Sequence, residues 1–158
     1  MMNNSVEKGY LNCLKYLYEN GCSWNSATCY SAAQYGHLEV LRYAHENGCS
    51  WDSYTCTGAA FNGNLDCLKY LHENGCSWNS YTCSSAAYSG NLDCLKYAHE
   101  NGCSWGSYTC SYTCSYAAKN GNLNCLKYAI ENNCQCDKQE CINKAKKHKH
   151  IIDYLESI

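Results

Sequence analysis

An all-α solenoid of stacked antiparallel helix pairs is the fold class this sequence predicts, on three observations. A motif Gly-x-Leu-x-x-Leu-Lys/Arg-Tyr-Leu/Ala-x-Glu-Asn-Gly/Asn-Cys recurs down the chain. Its first glycines are Gly9, Gly36, Gly63 and Gly90, each 27 residues after the last, and Gly121 follows after 31. A period of about 20–50 residues marks a solenoid. Within the unit the apolar residues keep helical spacing, with no period-2 alternation, which disfavours a strand-bearing leucine-rich repeat. The 158 residues contain no proline, so nothing breaks a helix and no Pro-rich linker splits the chain.

The unit beginning at Trp51 shows how each element arises. Asp52 or Ser53 is placed to cap a helix start, and a short helix follows over Cys56 to Asn62. Gly63 ends it, because glycine tolerates the left-handed conformation at a helix C-terminus. Asn64 is then expected to cap a second helix over about Leu65 to Asn74, with Asp66 near its positive dipole end. Leu65, Leu68 and Leu71 fall at i, i+3 and i+6 beside Cys67 and form one apolar stripe. Gly75 is the second stop. Such a pair cannot bury its stripe alone, and stacked neighbours can. The pairs Ala32-Ala33, Ala59-Ala60, Ala86-Ala87 and Ala117-Ala118 let the first helices approach closely.

This reading makes the chain a single array over 1–158. A partial repeat spans 1–23, full repeats span 24–50, 51–77, 78–104 and 105–135, and a capping repeat spans 136–158. The last unit exchanges the Ala pair for Lys144-Ala145. It runs through a Lys/His cluster into Ile151, Ile152, Tyr154 and Leu155, a charged face over an apolar stripe. Ser107-Tyr108-Thr109-Cys110 is followed by its copy Ser111-Tyr112-Thr113-Cys114, which explains the 31-residue spacing. The copy is expected to bulge as a loop, since a longer helix would overhang its neighbours.

Composition excludes several classes. A net charge of −2 gives no long-range attraction to nucleic acid or acidic membranes. No stretch of about 18 apolar residues exists, and Met1 to Lys8 has no apolar core of a signal peptide. The expectation is an intracellular protein, cytoplasmic in its own cell or in a host cell, with no membrane or nucleic-acid partner. No Ser-His-Asp set, phosphate loop or carboxylate pair stands apart from the repeats. No enzyme, cofactor, catalytic residue or small-molecule substrate is therefore expected.

Sixteen cysteines fall largely in columns. Cys13, Cys67, Cys94 and Cys125 lie on the second helix. Cys22, Cys49, Cys76, Cys103 and Cys134 follow the glycine stop. Cys29, Cys56, Cys83, Cys110 or Cys114, and Cys141 lie on the first helix. With His45, His72 and His99, each middle unit reads Cys-x4-His-x3-Cys-x6-Cys, a possible zinc set. The stronger reading is core packing, because Val40 replaces one cysteine and Tyr18 and Ile130 replace the histidine. No metal ligand is assigned; a zinc-binding or thiol-rich protein is the alternative function. Trp24, Trp51, Trp78 and Trp105 form a further column, expected to cover the helix ends, with Cys136 in the same place at the end.

The run from Ala59 to Leu71 resembles the Ala-Ala-x-x-Gly-His-x-x-x-Val-x-x-Leu-Leu run of ankyrin repeats, and Gly36-His37-Leu38-Glu39-Val40-Leu41 is closer still. Glu73 to Asn79 looks like the end of that family's repeat. In its length, cysteines and tryptophans the chain resembles short arrays of giant DNA viruses and some protists. Ankyrin repeats run about 33 residues. The missing residues fall where the family carries its β-hairpin finger, so the resemblance implies truncated fingers. It also implies a non-catalytic scaffold or adaptor that binds a protein partner along first helices and finger tips. The matching positions are Gln34, Tyr35, Phe61, Asn62, Tyr88, Ser89, Lys119 and Asn120, with Tyr54, Tyr81 and Tyr108 at the tips.

Overall fold

The computed structural model describes residues 2–105 and 109–158, and these divide into two compact units, Met1–Asn79 and Ser80–Ile158. The first unit holds α1 (Met2–Glu7), α2 (Leu11–Glu19), α3 (Ser26–Gln34), α4 (Leu38–Glu46), α5 (Ser53–Phe61) and α6 (Leu65–Glu73). The second holds α7 (Ser80–Ser89), α8 (Leu92–Glu100), α9 (Thr109–Asn120), α10 (Leu123–Glu131), α11 (Lys138–Lys144) and α12 (Lys149–Ser157). No strand occurs among the described residues. The fingers are thus bare turns, such as Gly48 to Asp52.

The same local chemistry shapes every pair. At the start of α5, Asp52 Oδ1 accepts from the amides of Tyr54 and Thr55, while Thr55 Oγ1 accepts from the Asp52 amide at 3.4 Å. Asn25 and Thr28 repeat this reciprocal cap on α3. Both helices of a pair end the same way. Past α3, Gly36 N–H donates to Ala33 and His37 N–H to Ala32; past α4, Gly48 donates to His45 and Cys49 to Ala44. These bonds need a positive φ at the glycine. Asn133 takes that position after α10 at φ 63, a conformation asparagine tolerates better than most residues. Just before these stops, the amides of Asn20, Asn47, Asn74, Asn101 and Asn132 each donate to the carbonyl four residues back at 2.8 Å.

In the first unit α1 packs along α3 and α3 along α5; in the second, α7 packs along α9 and α9 along α11. All four alanine pairs are fully buried at these contacts. The second-helix stripes are dry too: Val40, Leu41 and Ala44 on α4, Cys67, Leu68 and Leu71 on α6, Cys125, Leu126 and Ala129 on α10. Ile151 and Leu155 continue the core on α12, and Ala145 is buried while Lys144 is exposed.

Two expectations need correction. Asn64 does not cap α6 with its side chain. Its amide reaches the preceding pair and donates to the carbonyls of Ala33 at 3.0 Å and Gln34 at 2.7 Å. Asn122 does the same to Ala87 and Tyr88, and His37 Nε2 meets the Glu7 carbonyl at 2.8 Å. A single helix carbonyl end thus gains partners that its own chain end cannot supply. The duplicated tetrapeptide also differs from the expected bulge. Thr109 and Cys110 belong to α9, and the second copy aligns with the rest of the column, with Cys114 buried. Four residues are close to one helical turn, so the helix lengthens with little loss of phase. Ser107 and Tyr108 lie outside the described residues.

Leu68 is fully buried, so Leu68→Ala should cost about 2–5 kcal/mol, read as a lower denaturant midpoint. Gly36 and Gly48 separate two effects. Both have positive φ, but a Cβ on Gly36 would lie 2.7 Å from Asn64 Oδ1, whereas one on Gly48 meets nothing within 4 Å. Gly36→Ala should therefore lower the midpoint more than Gly48→Ala, and Asn64→Ala should reduce that difference. Equal losses would remove the contact between pairs from the account.

Candidate partner-binding face

Most of the expected contact residues are exposed on the first helices or at their C-terminal ends. Tyr54 and Phe61 are seven residues apart on α5, two turns along one stripe, and are 59% and 42% exposed. Tyr81 and Tyr88 repeat the stripe on α7 at 54% and 38%. On α9 the same two places hold Tyr112 and Lys119, both exposed. Tyr35, Asn62 and Asn120 are exposed one residue further on, while Gln34 and Ser89 are partly buried. The Ser89 hydroxyl is shut from solvent and has no hydrogen-bond partner among the described residues. Tyr108 lies outside the described residues.

In the second unit the aromatics form a cluster. Tyr116 meets Tyr88 edge-on at 5.5 Å and stacks with Tyr112 at 5.7 Å. Tyr112 and Tyr116 were not among the expected residues. The tetrapeptide copy hid Tyr112, although its distance to the Ala117-Ala118 pair equals that of Tyr81 to Ala86-Ala87. Within the first unit Tyr35 stacks loosely on His37 at 6.5 Å.

The tryptophan and histidine columns make a different structure on the second helices. Trp24 stacks on Tyr18 at 4.4 Å, Trp51 on His45 at 3.7 Å, Trp78 on His72 at 4.3 Å, and Trp105 on His99 at 4.2 Å. Within a unit, the tyrosine of the following pair closes the stack edge-on: Tyr43 against Trp24, Tyr70 against Trp51, Tyr128 against Trp105. His45 Nδ1 shares a hydrogen bond with Tyr70 Oη at 3.0 Å, and His99 Nδ1 one with Tyr128 Oη at 3.1 Å. Trp24 and Trp105 donate their indole N–H to the carbonyls of Asn47 and Asn132 at 3.0 Å. Lys15 lies over Tyr43 and Arg42 over Tyr70 as cation–π contacts of about 5 Å. These rings therefore hold neighbouring pairs together, which is more than covering helix ends.

That arrangement takes the histidines away from the thiols. Cys49 Sγ donates to the Asn25 carbonyl at 3.3 Å, and Cys76 Sγ to the Asp52 carbonyl at 3.2 Å. Each tethers the start of a first helix. Cys56 and Cys76 sulfurs lie 2.9 Å apart. The hydrogen bond with Cys49 and burial raise the Cys29 pKa far above the usual thiol range, and the same bond lowers that of Cys49, so no more than one thiol of the pair ionises readily. Burial raises Cys67 to about 11, Cys94 to about 12 and Cys125 to about 11. A zinc ligand must be a thiolate, so the buried second-helix thiols suit packing, whereas Cys13 and Cys22 are exposed and are not the core residues expected. Among the described residues no group of three His, Cys, Asp or Glu side chains is placed to hold a metal ion.

Comparison with known proteins agrees with this geometry. A family profile of ankyrin repeats in three copies matches residues 2–82, and one of ankyrin repeats in many copies matches residues 83–130. The crystal structure of the human ASB11 ankyrin repeat domain superposes with a TM-score of 0.80 over 99% of this chain and 82% of that one, at 16% identity. That likeness shows the fold. No curated protein matches the sequence. No helix of the described residues is long and apolar enough to cross a membrane.

The half-buried ring of His45 should make the stack sensitive to acid. Desolvation lowers its pKa below 6.5, with Glu46 opposing. The unfolded chain thus binds a proton more readily than the folded one. The stabilisation is complete above the unfolded value and is lost as pH falls through the lowered folded value. Tyrosine already serves at the matching position of Tyr18. From about pH 7.5 to about pH 5, the melting temperature of the natural protein should fall more than that of His45→Tyr. Parallel curves would show that the stack does not respond to protonation.

Proposed function

The chain belongs to the ankyrin repeats, and from that premise we propose that it is a non-catalytic adaptor that holds a protein partner on its first-helix face. Ankyrin repeats in general are protein-interaction modules. The observation that supports the face most directly is the exposure of Tyr35, Phe61 and Tyr88 at 50%, 42% and 38%, each one or two residues past a fully buried alanine pair. Their backbones are held by the helices while part of each ring stays exposed. A ring on a fixed backbone loses little conformational entropy when a partner covers it.

The proposed contact set is Gln34, Tyr35, Tyr54, Phe61 and Asn62 in the first unit. In the second it is Tyr81, Tyr88, Ser89, Tyr108, Lys119 and Asn120, with Tyr112 added. Lys119 is the set's only formal charge, so the partner recognised is a protein surface offering apolar side chains and backbone polar groups. An acidic or basic patch would find little to pair with. The net charge of −2 also favours a protein partner over nucleic acid. An intracellular setting suits the many reduced thiols, and kinship with the short arrays of giant viruses and protists rests on the 27-residue spacing with its Cys and Trp columns.

The test is an affinity capture with the intact chain beside a variant carrying Tyr35→Ala, Phe61→Ala and Tyr88→Ala. Removing exposed rings should leave the melting temperature nearly unchanged, within about 0.5 kcal/mol per site. Loss of about 1–2 kcal/mol or more of binding per contacting ring is expected, read as a matching rise in Kd for whatever protein the natural chain retains. Retention of the same partner with unchanged Kd by the folded variant would remove these residues from the site.

A further inference from the structure

The tryptophan column ends at Cys136, and there the chain changes chemistry. Cys136 sits in the turn before α11, next to Asp137, whose carboxylate accepts from the Glu140 amide and caps the helix. Cys141 is on α11 in the buried first-helix column, 1% exposed, while Cys136 is partly open to solvent. Their sulfurs lie 3.3 Å apart, little more than an ångström beyond a disulfide bond of about 2.05 Å. The buried Cys114 thiol on α9 also hydrogen-bonds to the Cys136 sulfur. Elsewhere the thiol contacts of the repeats, such as Cys56 with Cys76, are sealed on both sides. Here one member of the contact meets solvent and the other does not.

We propose that Cys136 and Cys141 form a dithiol that hydroperoxides oxidise to a disulfide, Cys136 meeting the oxidant and Cys141 resolving the product. The Cys136 thiolate attacks one peroxide oxygen, the O–O bond breaks, and the sulfur becomes a sulfenic acid while the other oxygen leaves and takes a proton as water or an alcohol. The Cys141 sulfur then attacks the Cys136 sulfur. The S–O bond breaks, and the departing hydroxide takes the Cys141 proton as water. Two thiols have lost two electrons to the peroxide. Hydrogen bonds from Cys114 and Cys141 favour the first step, since they bring Cys136 down to about 4 against the opposing effects of burial and Asp137. Reactive thiols combine thiolate character, access and a neighbouring resolving thiol. Cys13 and Cys22 are the exposed thiols to compare it with. The product would tie the turn at Cys136 to the helix it precedes. The proposal uses no property of the partner-binding face, so either can fail without the other.

The full-length reduced protein is treated with limiting hydrogen peroxide, its remaining thiols are alkylated, and it is digested with trypsin. Cleavage at Lys138 separates the two cysteines, so the disulfide joins the peptide ending at Lys138 to the one starting at Gln139. That joined pair, fragmented to Cys136–Cys141, is the expected product, formed about tenfold faster than oxidation at Cys13 or Cys22. In Cys141→Ser, a dimedone probe should capture sulfenic acid on Cys136; in Cys136→Ser, Cys141 should stay reduced. A link of Cys141 to Cys134, a link of Cys136 to Cys114, or oxidation of Cys136 no faster than that of Cys13 would overturn the assignment. The joined peptide is read on the unaltered chain, so it decides the matter even if a variant fails to fold.

Discussion

Nine residues is too short for a helix to persist in water. Helices under about 12–15 residues are marginal even with the best sequences, and most helices here have nine. Each must therefore be held by its ends and by its neighbours. The ends are held by reciprocal Asn-Thr or Asp-Thr caps and by glycine stops that return two amides to the last turn. The neighbours supply the rest through buried leucines, alanine pairs and thiols. Ion pairs contribute little: Lys149 with Asp153 is exposed, and Arg42 with Glu39 stands at 4.0 Å.

This division of labour decides where function can sit. Residues that face a neighbouring pair must remain small or apolar, as at Ala59, Ala60 and Leu68. Residues at the helix ends must cap or carry positive φ. Those constraints leave the outward stripe of the first helices, positions such as Tyr54 and Phe61, as the part of the repeat that can change without cost to the stack. On the second helices the outward rings are already engaged with each other, since Trp51 stacks on His45 and Tyr70 meets both edge-on. Two aromatic columns thus have different roles. One is spent on cohesion between pairs, and the other stays partly exposed to solvent.

Much of this was legible from spacing alone. The period and the glycines located the second helices from α2 to α10, the alanine pairs proved buried, and Asp52 was one of two candidate caps. What escaped had a common cause. Asn64 looked like a local cap because it stands at a helix start, but its acceptors are Ala33 and Gln34, about thirty residues earlier. The stacking of Trp on His, and of both on the next tyrosine, likewise joins residues from successive pairs. A repeat pattern shows which columns exist but not which columns meet. The reciprocal role of Thr28 and Thr55 was missed for a smaller reason. Threonine three residues after Asn or Asp stands where glutamate or glutamine usually completes the box. In the duplicated segment, phase decided the outcome: a four-residue insertion is absorbed by a helix more readily than a shorter or longer one.

Because the repeats are near-copies, the chain supplies its own comparison series, and the last unit is informative through what changes together. Tryptophan follows the turn wherever the preceding second helix presents a flat ring, with Tyr18, His45, His72 or His99 beneath it. After α10 that place is Ile130, and the tryptophan is replaced by Cys136. An indole gains from an aromatic face through ring geometry beyond simple burial, and a branched aliphatic side chain cannot offer that. With no ring beneath, a smaller side chain can turn toward α11, where Cys141 already stands in the buried column. The close approach of the two sulfurs thus follows from losing the stack, and the terminal pair differs from the others in chemistry because it differs first in packing.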